Sequence, residues 1–113
     1  LTVTGAASTI ANDLTLQSGS TYSVMLDAGG TMSHVAVNGA VTLGGTLAIE
    51  LASAPQQDYS YLVMDNNGTV AGAFASSIVY ASYDGQTYDF SVRRDGNDVV
   101  VGWYAKGTVI SVR

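Results

Sequence analysis

The feature that most constrains this fold is an alternation of apolar and polar residues that keeps the same phase across the turn residues. Between residues 41 and 51 the apolar side chains occupy odd positions, as Val41, Leu43, Leu47, Ile49 and Leu51. A period of two is typical of a β-strand with one buried face. Similar alternation occurs along most of the chain, and no segment has a convincing helical period. The sequence therefore predicts an all-β fold.

The turns in the middle of the chain fail a pairing test for hairpins. Residues that flank a two-residue hairpin turn pair directly and share a face. A hairpin at Asn38-Gly39 would place Val35 opposite Thr42, and one at Gly44-Gly45 would place Leu47 opposite the same threonine. Both would divide the apolar set between two faces, which a one-sided core forbids. We interpret these turns as corners, where a strand bends without reversing, as in a parallel β-helix.

A weak internal repeat supports coils in the first part of the chain. The pattern of Leu14-Thr15-Leu16 recurs at residues 35–37, and that of Tyr22-Ser23-Val24 recurs at residues 41–43. The offset of about 20 residues suits one coil of a solenoid. We predict right-handed parallel β-helix coils over residues 1–76, with an uncapped, exposed edge at the Leu1 end.

The C-terminal third passes the pairing test that the middle fails. Hairpin turns at Asp84-Gly85, Asp95-Gly96 and Lys106-Gly107 each place apolar residues on one shared face. That face comprises Val79, Ala81, Tyr88, Phe90, Val92, Val99, Val101, Trp103, Ile110 and Val112. We predict a four-stranded antiparallel β-meander over residues 78–112 that caps the coils.

The same turns predict individual strand partners. The predicted pairs are Val79 with Phe90, Val92 with Val99, Phe90 with Val101, Arg93 with Asp98, Trp103 with Ile110, and Val101 with Val112. A chain of 113 residues is long enough for a single domain, residues 1–113, that contains both coils and cap. The rival fold is an ordinary β-sandwich, which also has short alternating strands.

Composition excludes several classes of function. The chain has no cysteine, so disulfides and thiolate metal sites are excluded. Its net charge is −5, and its only basic residues are Lys106, Arg93, Arg94 and Arg113. Nucleic-acid binding needs clustered cations and is not expected. No apolar run approaches the length of a membrane helix, so we expect no membrane-spanning segment in this chain.

Several segments, taken in order, resemble the C-terminal passenger region of bacterial autotransporters. These segments are Leu14–Tyr22, Val35–Leu47, Tyr59–Val63, Val70–Phe74 and Asp95–Val101, and together they cover most of the chain. The sequence departs from the family pattern at His34, where an aspartate is common after Ser33. The resemblance implies a right-handed β-helix on the bacterial cell surface, whose terminal coils and cap help the passenger to fold after translocation.

The leading functional hypothesis is a non-catalytic, extracellular structural or adhesive module of an autotransporter-like surface protein. Its partners would be adjoining β-helix coils or another copy of itself. The first alternative is a subunit of an extracellular filament that stacks head to tail, with Val109–Val112 as a strand exchanged between neighbours. The second alternative is a carbohydrate-binding or phage-spike module.

No residue pattern predicts catalysis or a cofactor. His34 is the only histidine and has no nucleophile or ligand set beside it in sequence, so we assign it no chemistry. Asp27, Asp65-Asn66-Asn67-Gly68 and Asp95-Gly96-Asn97-Asp98 contain oxygen ligands that Ca²⁺ could use. Turn formation accounts for these acids, and a structural Ca²⁺ ion is the less favoured alternative.

The outer face of the meander supplies the candidate contact residues. The predicted pairing places Tyr80 and Tyr104 on this face, together with Val109. Val100 and Val109 make the face unusually apolar for a solvated surface. We expect part of it to be covered, either by the end of the helix or by another subunit.

Overall fold

The computed structural model describes residues 7–104, with side chains from Thr9 onward, and these residues form an all-β fold without a helix. The strands are β1 (Ala7–Ile10), β2 (Leu14–Thr15), β3 (Thr21–Leu26), β4 (His34–Val37), β5 (Val41–Leu43), β6 (Thr46–Leu51), β7 (Ser60–Asn66), β8 (Val70–Gly72), β9 (Ile78–Tyr83), β10 (Gln86–Asp95) and β11 (Asp98–Gly102). The predicted all-β class is confirmed.

The first eight strands form three sets of parallel neighbours. β4 lies between β1 and β7, β5 lies between β2 and β8, and β3 pairs with β6. Successive strands along the chain belong to the three sets in turn. Leu14 consequently pairs with Val41, and Val41 pairs with Val70. The chain therefore returns to the same place on each round, at a longer interval than the offset of about 20 residues that the repeat predicts.

The turns at Asn38-Gly39 and Gly44-Gly45 are corners, as the pairing test predicts. β4, β5 and β6 follow one another through these turns, yet they belong to three different sheets. The corners stack from one round to the next through side-chain hydrogen bonds. Asp13 Oδ1 accepts the Ala40 N–H at 2.8 Å, and Asn67 Nδ2 donates to Asn38 Oδ1 at 2.8 Å. These bonds align the bends of successive rounds.

The core lies between the three parallel sets and follows the predicted alternation. Leu47 and Ile49 are buried, whereas Thr46 and Glu50 on the same strand are exposed. The largest fully buried side chains are Tyr22, Phe90, Leu26, Met64, Val24, Val35, Val37, Val41, Val63, Val99 and Val101. Because these residues come from both the parallel strands and the C-terminal strands, one core joins the two parts.

The first predicted hairpin of the cap is confirmed residue by residue. β9 and β10 are antiparallel, with Tyr83 opposite Gln86 and Val79 opposite Phe90. Asp84 and Gly85 have φ values of 50° and 77°. Positive φ at both central residues is the type I′ geometry, which matches the twist of the flanking strands. The predicted buried face is also correct for these strands, since Ala81 and Phe90 are buried.

The second hairpin has a different register from the predicted one. Val92 pairs with Val101 and Arg93 pairs with Val100, so the predicted pairs of Val92 with Val99, Phe90 with Val101, and Arg93 with Asp98 are wrong. Asp95 and Asp98 pair directly, and the central turn residues are Gly96 and Asn97. Only Gly96 has a positive φ, of 62°, as a type II′ turn requires. A shift of two positions keeps every side chain on its predicted face.

The predicted fourth strand of the meander lies outside the described residues. The edge of β11 on which it was expected is already taken, because β11 pairs with β10 on one side and with β7 on the other. Val101 lies opposite Tyr61 on that second side. The predicted pairs of Trp103 with Ile110 and of Val101 with Val112 involve residues outside the described part of the chain. β11 connects the antiparallel strands directly to the last parallel strand of its sheet.

Candidate interaction surfaces

Tyr80, Tyr104 and Val109 were predicted as contact residues on the outer face of the cap. Tyr80 has 69 % of its surface exposed and lies opposite Asp89 in the β9–β10 ladder. Tyr104 is half-buried and follows β11, so β10 separates the two tyrosines. Val109 lies outside the described residues. The structure thus leaves Tyr80 available for contact but does not bring it together with Tyr104.

Tyr104 is held in place by its own chain. Its hydroxyl forms a 2.7 Å hydrogen bond with Ser60 Oγ, and the Arg93 guanidinium lies 4.2 Å from the centre of its ring. Gly102 is buried beneath it, and a Cβ at Gly102 would collide with the ring. Tyr104 therefore links β7, β10 and the end of β11. The predicted covering of the outer face by the end of the helix or by another subunit stays a prediction.

The aspartate-containing segments that the sequence offers as possible Ca²⁺ ligands make hydrogen bonds within turns and between strands. Asp27 Oδ1 accepts the N–H groups of Gly29 and Thr31, each at 2.9 Å. Asp98 Oδ1 accepts the Asn66 N–H at 3.0 Å, and Asn66 Nδ2 donates to the Asn97 carbonyl at 2.9 Å. In the described part of the chain no three histidine, aspartate or glutamate side chains converge as a metal-ligand group.

The contact between these two Asp-Asn segments was not expected from the sequence. β7 and β11 bring residues 65–68 beside residues 95–98, and the buried Asn66 side chain joins them. Its Oδ1 atom is buried without a hydrogen-bond partner among the described residues. The only signal in the sequence is the change from apolar to polar residues at the end of β7. This change does not indicate which segment Asn66 contacts.

His34 borders a shallow cleft of about 260 Å³ on the outer face of β4. The cleft also contacts Thr31, Tyr59, Ser60 and Leu62. Tyr59 is 49 % exposed and packs edge-to-face on Tyr61 at a centroid distance of 4.8 Å. The half-buried histidine thus lies beside hydroxyl groups and an aromatic ring, and no carboxylate borders this cleft.

The two ends of the stack of parallel strands differ in how their outer strand edges are covered. At the N-terminal end, no described strand pairs with the outer edge of β1, β2 or β3. The loop after β3 covers one part of that end, because the Ser33 N–H donates to the Met25 carbonyl at 2.9 Å. The remaining edges are oriented to accept further parallel strands.

At the opposite end, one of the three sets is closed by a strand, and a second is contacted by a side chain. β11 pairs with the outer edge of β7 in antiparallel orientation. Arg94 Nη2 donates to the Val70 carbonyl at 3.1 Å, on the edge of β8 that does not pair with β5. No described strand is hydrogen-bonded to the outer edge of β6, but β9 packs beside it, and residues of both strands line a groove of about 420 Å³.

Together these features define an all-β chain of parallel strand sets with an antiparallel closing end, whose distinctive surfaces are its strand edges. The part of the chain that the structure describes has no helix long and apolar enough to cross a membrane. Comparisons with protein-family models, with curated proteins and with solved structures gave no match.

Proposed function

We propose that this chain is the closing segment of a right-handed parallel β-helix and that it acts as a non-catalytic structural or adhesive module outside a bacterial cell. The observation that carries the proposal is the difference between its ends. Among residues 7–104 no strand pairs with the outer edges of β1 and β2, whereas β11 closes β7 in the opposite orientation. A solenoid that continues toward the N-terminus and stops at the C-terminus requires this arrangement.

A general rule for parallel strands supports the right-handed coils of this proposal. The connection from β1 to β4 leaves the sheet, passes through β2 and β3, and returns to a parallel neighbour. Connections of this kind are right-handed in about 98% of known cases, because of the twist of the strands. The connections from β4 to β7 and from β2 to β5 have the same form.

The side chains that support a structural role are those that form hydrogen bonds with backbone groups or with each other at the corners. Asp13, Asp27 and Asp98 each accept backbone N–H groups at turns or between strands. Asn38 and Asn67 bond to each other across successive corners. The resemblance to autotransporter passengers supports a location on the cell surface.

The cap is expected to be required for folding. Removal of residues 78–113 would expose the outer edge of β7 and the core residues that pack beneath Phe90 and Val101. We expect the truncated chain to be insoluble or to refold much more slowly than the full chain. Far-UV circular dichroism with stopped-flow refolding measures both. Normal folding without residues 78–113 would contradict the proposal.

A head-to-tail filament is the second candidate function. Edges of β1 and β2 that no described strand covers favour assembly, but the pairing of β11 with β7 leaves no parallel edge for β1 at the other end of its own sheet. We therefore expect discrete particles and no fibres. Size-exclusion chromatography and electron microscopy of the purified chain distinguish the candidates, and regular filaments would favour the second one.

The carbohydrate-binding or phage-spike alternative depends on exposed aromatic rings. Tyr104 contributes its ring to Arg93 and its hydroxyl to Ser60, so Tyr80 remains as the accessible one of the pair. Saturable glycan binding that is lost in Tyr80→Ala would support this alternative. We expect no such binding, because a single exposed aromatic ring is an ordinary surface feature.

A further inference from the structure

A small cavity lies at the seam between the last parallel round and the antiparallel strands of the cap. Its volume is about 120 Å³. An apolar protein cavity of roughly 150 Å³ can hold a benzene molecule, so this one has space for an apolar group of about six carbon atoms. The residues that line it from the parallel part include Leu43, Gly72 and Phe74, and those from the cap include Val92, Arg94 and Val99.

The inner walls of the cavity are apolar and belong to the core. Leu43, Phe74 and Val99 are all buried. The Phe74 ring stacks on Tyr22 at a centroid distance of 6.3 Å, which supports it from behind. Walls that already have their final shape need no ordering when a ligand enters, and this lowers the cost of binding. The inner part of the cavity therefore suits an apolar group.

The mouth of the cavity presents an oriented cation. Arg94 Nη2 donates to the Val70 carbonyl at 3.1 Å, which holds the guanidinium beside the cavity. This bond uses one of five N–H donors and leaves the positive charge unneutralised. Arg94 forms no ion pair with another residue of the described range 7–104. A guanidinium in this state is suited to a carboxylate, which it can bind through two parallel hydrogen bonds.

A backbone amide of β8 adds a second donor at the same place. The Val41 N–H donates to the Thr69 carbonyl at 2.8 Å. Because backbone groups alternate along a parallel strand, the Val70 carbonyl and the Gly72 N–H both point away from β5. The Val70 carbonyl accepts Arg94, and Gly72 lines the cavity. The Gly72 N–H therefore lies on the same side of β8 as the guanidinium.

The charges around the cavity favour an anion. Arg93 and Arg94 are the only lysine or arginine residues in the described part of a chain whose net charge is −5, and both border the cavity. The Arg93 guanidinium lies 4.2 Å from the centre of the Tyr104 ring, so Arg94 is the cation that remains for a ligand. None of the described acidic residues lines the cavity. A negatively charged group thus meets attraction there without an opposing carboxylate.

We propose that this cavity binds a small carboxylate whose apolar group has about six carbon atoms. The apolar group lies between Phe74 and Val99, and the carboxylate accepts hydrogen bonds from the Arg94 guanidinium and the Gly72 N–H. This inference depends on the shape and charge of the cavity, and it is independent of the proposed surface function. Because the ligand contacts both the last round and the cap, its binding also stabilises the folded chain.

NMR titration of the isotope-labelled full chain with phenylacetate, at constant ionic strength, tests the proposal. We expect saturable shifts at the amides of Gly72, Phe74 and Val99, with a dissociation constant of about 1 mM. Phenylacetamide has the same size without the charge and should bind roughly tenfold more weakly. Acetate lacks the apolar group and should give no saturable shift at these amides. Equal binding of phenylacetate and phenylacetamide would overturn the proposal, as would the absence of saturable shifts up to about 20 mM phenylacetate.

Two variants separate this site from a general attraction of anions. Arg94→Gln removes the charge but keeps an N–H donor for the Val70 carbonyl, and it should weaken phenylacetate binding roughly tenfold. Arg93→Gln removes the same charge at the neighbouring position and is the matched control, with an expected change of less than about threefold. Unchanged amide resonances of Val35 and Val37 in β4 show that each variant is folded. If both variants weaken binding equally, or if neither does, Arg94 does not hold the carboxylate and the proposal is wrong.

Discussion

Tyr22 connects opposite sides of the core through a single side chain. It lies on β3, is almost completely buried, and donates its hydroxyl hydrogen to the Val63 carbonyl on β7. Its ring stacks on Phe74, with the two planes 8° apart. A phenol among aliphatic neighbours is favourable only if its hydroxyl is hydrogen-bonded, so this contact orients two sheets relative to each other.

Replacement of Tyr22 should change both stability and its dependence on pH. Tyr22→Phe removes the bond to Val63 and should lower the free energy of unfolding at pH 7 by about 0.5–1.5 kcal/mol. Burial raises the pKa of the Tyr22 hydroxyl above its ordinary value of 10.0. Above pH 10 the unfolded phenol ionises while the folded one stays neutral, so stability falls as pH rises, by at most about 1.4 kcal/mol per pH unit. Below pH 10 this contribution is fully present.

Urea denaturation at pH 7 and at several values above pH 10 measures these effects. Tyr22→Phe should show a shallower alkaline decline than the unaltered chain, because it lacks the buried phenol. Tyr80→Phe is the matched control at pH 7, where its exposed side chain should change stability by less than about 0.5 kcal/mol. An equally steep alkaline decline in Tyr22→Phe would show that this hydroxyl does not cause it.

The contact between Arg93 and Tyr104 should also be measurable. A guanidinium over an aromatic ring at a partly exposed site contributes about 0.5–1 kcal/mol. A double-mutant cycle with Arg93→Ala and Tyr104→Ala should give a coupling energy of this size, whereas Arg94→Ala with Tyr104→Ala should give less. Chemical denaturation of the single and double variants supplies the values. Zero coupling for the first pair would mean that the ring and the guanidinium do not stabilise each other.

At the scale of strands and turns, the corners depend on glycines that stack between rounds. A Cβ at Gly68 would lie 2.5 Å from the Gly39 carbonyl oxygen. That oxygen belongs to the backbone of the preceding corner and has little freedom to move. Two successive bends can therefore approach this closely only if the later one has no side chain at this position.

Gly68→Ala should consequently destabilise the fold by about 1–3 kcal/mol through overpacking. Gly29→Ala is the matched control, because its Cβ would meet only the Asp27 Oδ1 atom at 3.4 Å and its φ is not in the positive range. We expect the control to be near neutral. Thermal and urea unfolding compare the two variants, and equal losses of stability would contradict the close approach at the corner.

The two Asp-Gly turns show how far local sequence determines pairing. At Asp84-Gly85 both residues have positive φ and form the turn themselves, as predicted. At Asp95-Gly96 only the glycine has positive φ, and the turn moves one residue along, to Gly96-Asn97. The same dipeptide allows both turn types, so the choice depends on tertiary packing. The face of each side chain could be predicted because the register differs from the predicted one by two positions, an even number. The strand partner of Arg93 could not be predicted.

Other features depend on contacts between distant residues, and alternation cannot reveal them. The corners at Asn38-Gly39 and Gly44-Gly45 follow from the apolar pattern alone. The bonds from Asn66 to Asn97 and from Arg94 to Val70 join segments that are far apart in sequence. Their identity depends on which strand β11 pairs with. The sequence favoured a fourth antiparallel strand, whereas the structure places β7 on that edge.

For the molecule as a whole, the parallel rounds behave as stacked units that share one core. Residues 14–40 comprise one round, since Leu14 pairs with Val41 and Ala36 aligns with Asp65 on the next round. Each round contributes strands to all three parallel sets. In such a stack, stability is approximately a sum over units and the interfaces between neighbours. The number of rounds should therefore be adjustable without altering the cap.

Insertion of a second copy of residues 14–40 between Ala40 and Val41 should add one round. The inserted β2 would take the place of β5 on the original β2, and every inward residue would keep its face. We expect a soluble, folded protein with a higher thermal midpoint and a larger urea m-value, because more surface is buried on folding. The same residues inserted in shuffled order are the control and should unfold or aggregate. If the ordered and shuffled insertions are equally disruptive, the rounds are not repeating units, and the chain would not be the end of a longer solenoid.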